Sequence, residues 1–321
     1  MRLALQQIPL NLIKEAHERI KQDILRTPLL KLNTSDTTNQ IYLKCENLQP
    51  IGSFKLRGAG NAMKMTDPVL LEDGVWTASA GNMAQGVGWY ARKLSIESTI
   101  VVPDHAPSAK LEAIAKLGSE ILKVPFEEWI EILKTHHKDG MEGLFIHPFA
   151  NPNVMAGNGT IGLEIIEDLP DVDIIIIPYG GGGLSCGIAS AIRQLKPDTQ
   201  IFASEVSTAA PLKASLEAKK PIDIQYTPSF VDGIGAPNIF EEIWPLVNQL
   251  LDDSKVVTLQ EVVDVLRSLI LENNIIAEGA GASSVAAALN LPDEGKKIIC
   301  VISGGNIDTH KIVKILNGIT P

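Results

Sequence analysis

The sequence predicts an α/β protein of two domains, each built on an open, twisted, mostly parallel sheet. Three observations carry this expectation. Short, uninterrupted Ile/Val runs alternate with helical patterns along much of the 321 residues, as strands do when both faces of a parallel sheet are covered. Clusters of small residues follow several of those runs directly, where such sheets bind ligands. The chain is 45% hydrophobic and 21% charged, which leaves room for a large core or for two.

The elements follow in chain order. Ser53 to Met65 reads as a helix capped by Ser53, with Pro50 and Gly52 breaking the chain ahead of it. Strands are expected at Gly74–Ala78, Thr99–Val102, Ile121–Val124, Ile174–Pro178, Ile201–Ser204 and Lys297–Ile302. Helices are expected between them, at Met83–Leu94, Ser108–Lys116, Glu127–Thr135, Gly157–Glu167, Leu184–Leu195 and Leu259–Glu272. Three loops of one chemical type then fall at strand exits: Ser79-Ala80-Gly81-Asn82, Gly180 to Gly183, and Ser303-Gly304-Gly305-Asn306. Together they read as one site assembled from distant segments.

Bulk properties exclude several function classes. A formal net charge of −10 and scattered Lys and Arg argue against a nucleic-acid partner. Cys45, Cys186 and Cys300 lie far apart and read as reduced, mostly buried thiols, without a disulfide framework or zinc site. Met1 to Leu12 lacks a signal pattern, and the longest apolar run, Ile174 to Ile177, is too short to span a bilayer. The cytoplasm is the expected location.

Lys55 stands at the start of a helix, where the dipole and burial beside Phe54 disfavour the ammonium. A neutral amine there is able to attack a carbonyl; the alternative is a surface lysine. Gly180-Gly181-Gly182-Gly183-Leu184 joins a buried strand to a helix, and its inward N–H groups suit a phosphate monoester. A dinucleotide fingerprint fails here, because Ser185 or Cys186 falls at the third glycine position. Ser79 to Met83 opens another helix and suits a carboxylate. Asn82 either caps that helix or bonds a ligand hydroxyl, and Ser303 is either a turn serine or a partner for a ring nitrogen.

These pieces, with Glu46-Asn47-Leu48-Gln49 and Gly52-Ser53-Phe54-Lys55, occur in an order that resembles fold-type II pyridoxal-phosphate enzymes of the serine/threonine dehydratase family, relatives of serine racemase. The resemblance spans almost the whole chain and implies pyridoxal 5′-phosphate as cofactor. It makes Lys55 the Schiff-base lysine and Gly180, Gly181, Gly182, Gly183 and Leu184 the phosphate loop. By the same resemblance Asn82 contacts the cofactor's 3′-oxygen, Ser303 its pyridine nitrogen, Phe54 and Gly233 flank its ring, and Glu278 lines the site. Ser79, Ala80, Gly81, Asn82 and Met83 would hold the substrate carboxylate. The implied fold is the tryptophan synthase β-like architecture, with a large domain of residues 1–46 and 147–321. A small domain, residues 47–146, would be inserted in it and carry Lys55 and the carboxylate loop.

The implied reaction is dehydration and deamination of L-threonine or L-serine to a 2-oxo acid and ammonia. A neutral Ser303 hydroxyl, in place of a carboxylate, keeps the ring a shallow electron sink and favours β-elimination. Lys55 would take the α-proton. β-Replacement, threonine synthesis and a carrier without turnover are the competing readings. Ala80 stands where racemising relatives have a serine base, so racemisation is not expected. Met83 stands where many dehydratases have histidine, which leaves the accepted side chain open. A divalent cation, known in part of the family, is doubtful: Glu205 is a weak candidate ligand, and Pro211 falls near where an aspartate belongs. No histidine has metal spacing with another. The resemblance also implies a homodimer, and the chain ending soon after Asn306 suggests no regulatory domain and no isoleucine inhibition.

Overall fold

The Ile/Val runs fold into strands and the intervening segments into helices that cover them. A computed structural model describes residues 4–321; the first three residues of the N-terminal stretch discussed above lie outside it. The strands are β1 (Leu29–Lys31), β2 (Gln40–Lys44), β3 (Val75–Ala78), β4 (Ser98–Pro103), β5 (Glu120–Val124), β6 (Leu144–Phe145), β7 (Ile174–Pro178), β8 (Gln200–Val206), β9 (Asp253–Val257) and β10 (Lys297–Val301). The helices are α1 (Leu10–Ile20), α2 (Lys55–Met65), α3 (Asn82–Leu94), α4 (Ser108–Ala115), α5 (Phe126–Thr135) and α6 (Pro152–Asp168). They continue as α7 (Gly183–Leu195), α8 (Pro211–Ala218), α9 (Trp244–Leu250), α10 (Leu259–Leu271), α11 (Gly279–Leu289) and α12 (Thr309–Leu316).

Among the described residues the strands form two sheets. One has six strands in the order β1-β2-β10-β7-β8-β9, and the other has four in the order β5-β4-β3-β6. Every pairing is parallel except β1 with β2. Register on the central strand is fixed by Ile174 opposite Ile298 and by Ile175 opposite Ile201. All of β7 is buried, which explains why its isoleucines do not alternate with polar residues. The fold class read from the sequence is therefore the observed one. All three cysteines are buried free thiols. No helix among the described residues is long and apolar enough to cross a membrane.

Two expected helix starts are corrected. α2 begins at Lys55, not Ser53, and no side-chain cap bond is made there. The Ser53 backbone instead pairs with Gly304, and the Phe54 N–H donates to the Ser303 carbonyl at 3.0 Å. This ties the segment ahead of Lys55 to the end of β10. α6 begins at Pro152 rather than Gly157, because the Asn151 side chain accepts from the Asn153 and Val154 N–H groups and Pro152 occupies the first turn.

Candidate active site

Lys55 opens α2 and reaches across to the segment preceding α6, where its Nζ donates to the Pro148 carbonyl at 2.6 Å. Burial pushes its amine down to about 8, against the attraction of Glu278 that would raise it. The Phe54 ring lies beside the ammonium, with its centroid 5.1 Å from Nζ. Phe149, next to Pro148, covers the glycine loop. A Cβ on Gly181 would lie 2.3 Å from the Phe149 ring, and one on Gly183 2.7 Å from its backbone. Gly182 has φ +84°, a left-handed conformation that glycine adopts without strain. Only glycines let the loop pass under Phe149 and turn into α7.

That turn leaves anion donors at the loop. The Cys186 N–H makes a bond back to Gly182, so the N–H groups of Gly183, Leu184 and Ser185 precede the helical ladder and lie at its positive end. The loop also touches the next part of the site: a Cβ on Gly180 would meet the Gly233 carbonyl at 3.1 Å. Gly233 in turn lies against Glu278, whose Oε1 would be 3.4 Å from an added Cβ.

Glu278 precedes α11 and holds the third side of the site. Its two oxygens accept from the Asn82 amide, at 2.9 and 3.1 Å. The Asn82 carbonyl oxygen accepts from Asn306 Nδ2 at 2.8 Å, and Asn306 Nδ2 also donates to the Ile51 carbonyl at 2.9 Å. Burial pushes the Glu278 carboxyl up to about 7; Asn82 opposes this and Asp232 adds to it. Gly304 leaves space for this pair, since a Cβ there would lie 2.7 Å from Glu278 Oε1. The chain of contacts thus runs from Lys55 through Pro148 and Phe149 to the glycines, then through Gly233, Glu278 and Asn82 to the end of β10. Ser303 is buried at that end, one residue from Gly304.

The protein family described as pyridoxal-phosphate dependent enzyme matches residues 20–304 of the chain. The protein belongs to that family. It is 39% identical over 316 residues to a Thermotoga maritima protein named L-threonine ammonia-lyase, a match covering 97% of this chain and 78% of that one. It is 36% identical over 315 residues to a Staphylococcus aureus protein named L-threonine dehydratase catabolic TdcB, covering 95% of this chain and 90% of that one. Among solved structures, maize serine racemase superposes with a TM-score of 0.90 at 31% identity, covering 97% of this chain and 98% of that chain.

The site fits the cofactor of a pyridoxal-phosphate dependent enzyme. A cradle of glycines, two of them closed to a Cβ by Phe149, faces the α7 N-terminus, and an amine of lowered basicity stands near it. The Ser53 hydroxyl, two residues from Lys55, is buried without a hydrogen-bond partner among the described residues. Pyridoxal phosphate offers an aldehyde for such an amine, a dianion for the cradle and polar ring atoms for a buried hydroxyl.

Several site residues behave differently from their sequence reading. Asn82 is the first residue of α3, Gly81 is its N-cap, and the Asn82 side chain turns to Glu278 instead of capping. Met83 is buried in a core with Leu56, Val87 and Ile100, so its thioether packs inward while its backbone remains at the start of α3. Ser79 Oγ accepts the Gly81 N–H at 3.2 Å and shapes the loop; Ala80 and Gly81 are partly exposed beside it. Pro148 and Phe149, which hold Lys55 and cover the glycines, carry no chemical signature in sequence that would mark them as site residues.

Two possible metal positions resolve into hydrogen-bonded groups. Glu205 Oε1 accepts the Leu212 N–H at 2.8 Å, and Oε2 accepts the Lys213 N–H at 2.8 Å and Ser254 Oγ at 2.6 Å. Both oxygens cap α8, so this donor set does not fit the oxygen-rich shell a hard cation needs. The fold also gathers His136, His147 and Glu242 within 4.8 Å, from three segments whose spacing gives no sign of it. His147 Nδ1 accepts the Ala150 N–H at 2.8 Å, and Nε2 donates to the Leu133 carbonyl at 3.0 Å. Both imidazole nitrogens therefore serve the backbone.

Proposed function

We infer that this enzyme catalyses β-elimination from L-threonine or L-serine, releasing ammonia and a 2-oxo acid. The observation that carries the reading is a part-buried amine, lowered to about 8 and oriented by the Pro148 carbonyl, at one end of a cradle of glycines. The relatives named for threonine ammonia-lyase and dehydratase activity support threonine as a substrate.

When bound, the cofactor supplies an aldehyde that captures the substrate amine and an electron-accepting ring that eases loss of the α-proton. Gly180 to Gly183 and Leu184 would hold its phosphate on the first-turn N–H groups of α7. Phe54 and Gly233 would flank the ring. Ser303 would offer a hydroxyl to the ring nitrogen, and a hydroxyl does not hold a proton there as a carboxylate would. Asn82, oriented by Glu278 and Asn306, would contact the 3′-oxygen. The start of α3, from Ser79 to Met83, holds the substrate carboxylate on backbone N–H groups. Lys55 is the base: an amine titrating near 8 takes a proton at neutral pH and returns it readily. Ala80 offers no second base, so racemisation is not expected.

The two sheets suggest how the parts are carried. We read residues 47–146 as the small inserted domain, because β3 to β6 all lie within it. The test is a panel of L- and D-β-hydroxy amino acids offered to the protein with pyridoxal phosphate. The reading predicts ammonia and 2-oxo acid from L-threonine or L-serine, with neither D-isomer accumulating. Cofactor binding without release from any member of the panel would overturn it.

A further inference from the structure

Arg57 lies two residues after Lys55 and is fully buried. Residues so spaced point roughly 200° apart around a helix, so the two side chains leave opposite sides of α2. The Arg57 guanidinium makes a fork with each of two carboxylates. Nε and Nη2 donate to Glu46 at 2.8 Å each. Nη1 and Nη2 donate to Glu164 at 2.6 and 2.9 Å, and Nη1 also donates to Thr160 Oγ1 at 3.0 Å. Lys44 completes the group at 2.6 Å from Glu164. Two cations and two anions are thereby withdrawn from water, and Arg57 and Lys44 hold Glu164 below the usual carboxylate range despite its burial.

Such a cluster is poor evidence for stability, because desolvation offsets much of the attraction. What a doubly forked guanidinium does provide is geometry. The partners matter here. Glu164 belongs to α6, and α6 starts immediately after the segment whose Pro148 carbonyl holds Lys55 Nζ. The same two helices also approach closely near Arg57, since a Cβ on Gly157 would lie 2.3 Å from the Arg57 carbonyl. Fixing α2 against α6 from behind therefore fixes the distance from Lys55 to Pro148 in front.

We propose that Arg57 is a positioning residue: its double fork to Glu46 and Glu164 sets the first turn of α2 so that the part-buried Lys55 amine is held in orientation against the Pro148 carbonyl. This rests on Lys55 being the base proposed above. The test uses Arg57→Lys, which keeps the charge but cannot fork to both carboxylates. Thr160→Val, which loosens the guanidinium without disturbing any charge, is the second variant in case the first does not fold.

Two readouts separate positioning from simple stability. In the cofactor-free protein, the pH dependence of Lys55 reductive methylation reports its amine. The wild type is expected to label with a midpoint near 8, and Arg57→Lys to shift upward by about one unit as water reaches the amine. In the holoenzyme, kcat is expected to fall by about a hundredfold while KM changes by less than about threefold. Thr160→Val should move both readouts in the same direction by less. A folded variant with a lower melting temperature but unchanged Lys55 labelling and kcat would overturn the proposal. Wild-type protein that labels near 8 yet releases no 2-oxo acid would instead count against the function above, leaving the labelling comparison intact.

Discussion

Lys55 gains its reactivity from where the backbone puts it. Its folded pKa of about 8 lies below the ordinary 10.5, so between those values the folded protein binds fewer protons than the unfolded chain. Stability from this group consequently rises as pH rises from 8 to 10.5 and is constant above. Lys55→Met should flatten the urea stability of the cofactor-free protein across that window; an unchanged slope would show that folding does not lower the pKa of this amine. The same substitution should abolish turnover. Gly181 is the most exposed test of the cradle, because a methyl there must enter the Phe149 ring at 2.3 Å. Gly181→Ala should destabilise the protein by about 1–3 kcal/mol and weaken cofactor binding, seen by urea unfolding and absorbance titration. Adding Phe149→Ala should recover part of both losses. No recovery would mean that the ring is not the obstacle.

At the scale of elements, the close contact of α2 with α6 makes a comparable prediction. Gly157→Ala, pressed against the Arg57 carbonyl, should cost about 1–3 kcal/mol in urea unfolding; a neutral result would show that these helices have slack. The elements also show what was legible. β7 and β10 are buried Ile/Val runs, and their sequence states it. β1 and β9 are edge strands, with β1 mostly exposed and β9 opening on Asp253, Ser254 and Lys255, so no apolar run marks them. α11 is built from Ala, Gly and Ser and is buried on nearly all sides, which removes the period a helix shows when one face meets water. In the proposed site, Lys55, the glycines and the Ser303 loop stand out in sequence because the chemistry proposed for them requires particular residue types. Pro148 contributes a carbonyl that any residue possesses, and Arg57 looks in sequence like one more surface cation. Such contributions come from packing alone.

Across the whole molecule, buried Glu205 and part-buried Glu278 bias the protein towards acid. Burial pushes Glu205 and Glu278 to about 7 from an ordinary 4.5. Between these values the folded state binds more protons, so their contribution is full below 4.5 and is lost as pH rises through 7. Glu205→Gln, whatever it costs at one pH, should show a flatter unfolding free energy between pH 5 and 7 than the wild type. A slope identical to wild type would place the titration elsewhere. The molecule brings a β10 loop, a β7 loop, the start of α2 and the start of α3 into one chain of contacts, and together they are proposed to perform elimination. The most direct measurement is simultaneous quantification of ammonia and 2-oxobutanoate from L-threonine, with purified protein and added pyridoxal phosphate, alongside Lys55→Ala. Equal yields of the two products from the wild type and none from the variant are predicted. Cofactor held by the wild type with no product, or near-normal release by Lys55→Ala, would contradict the account.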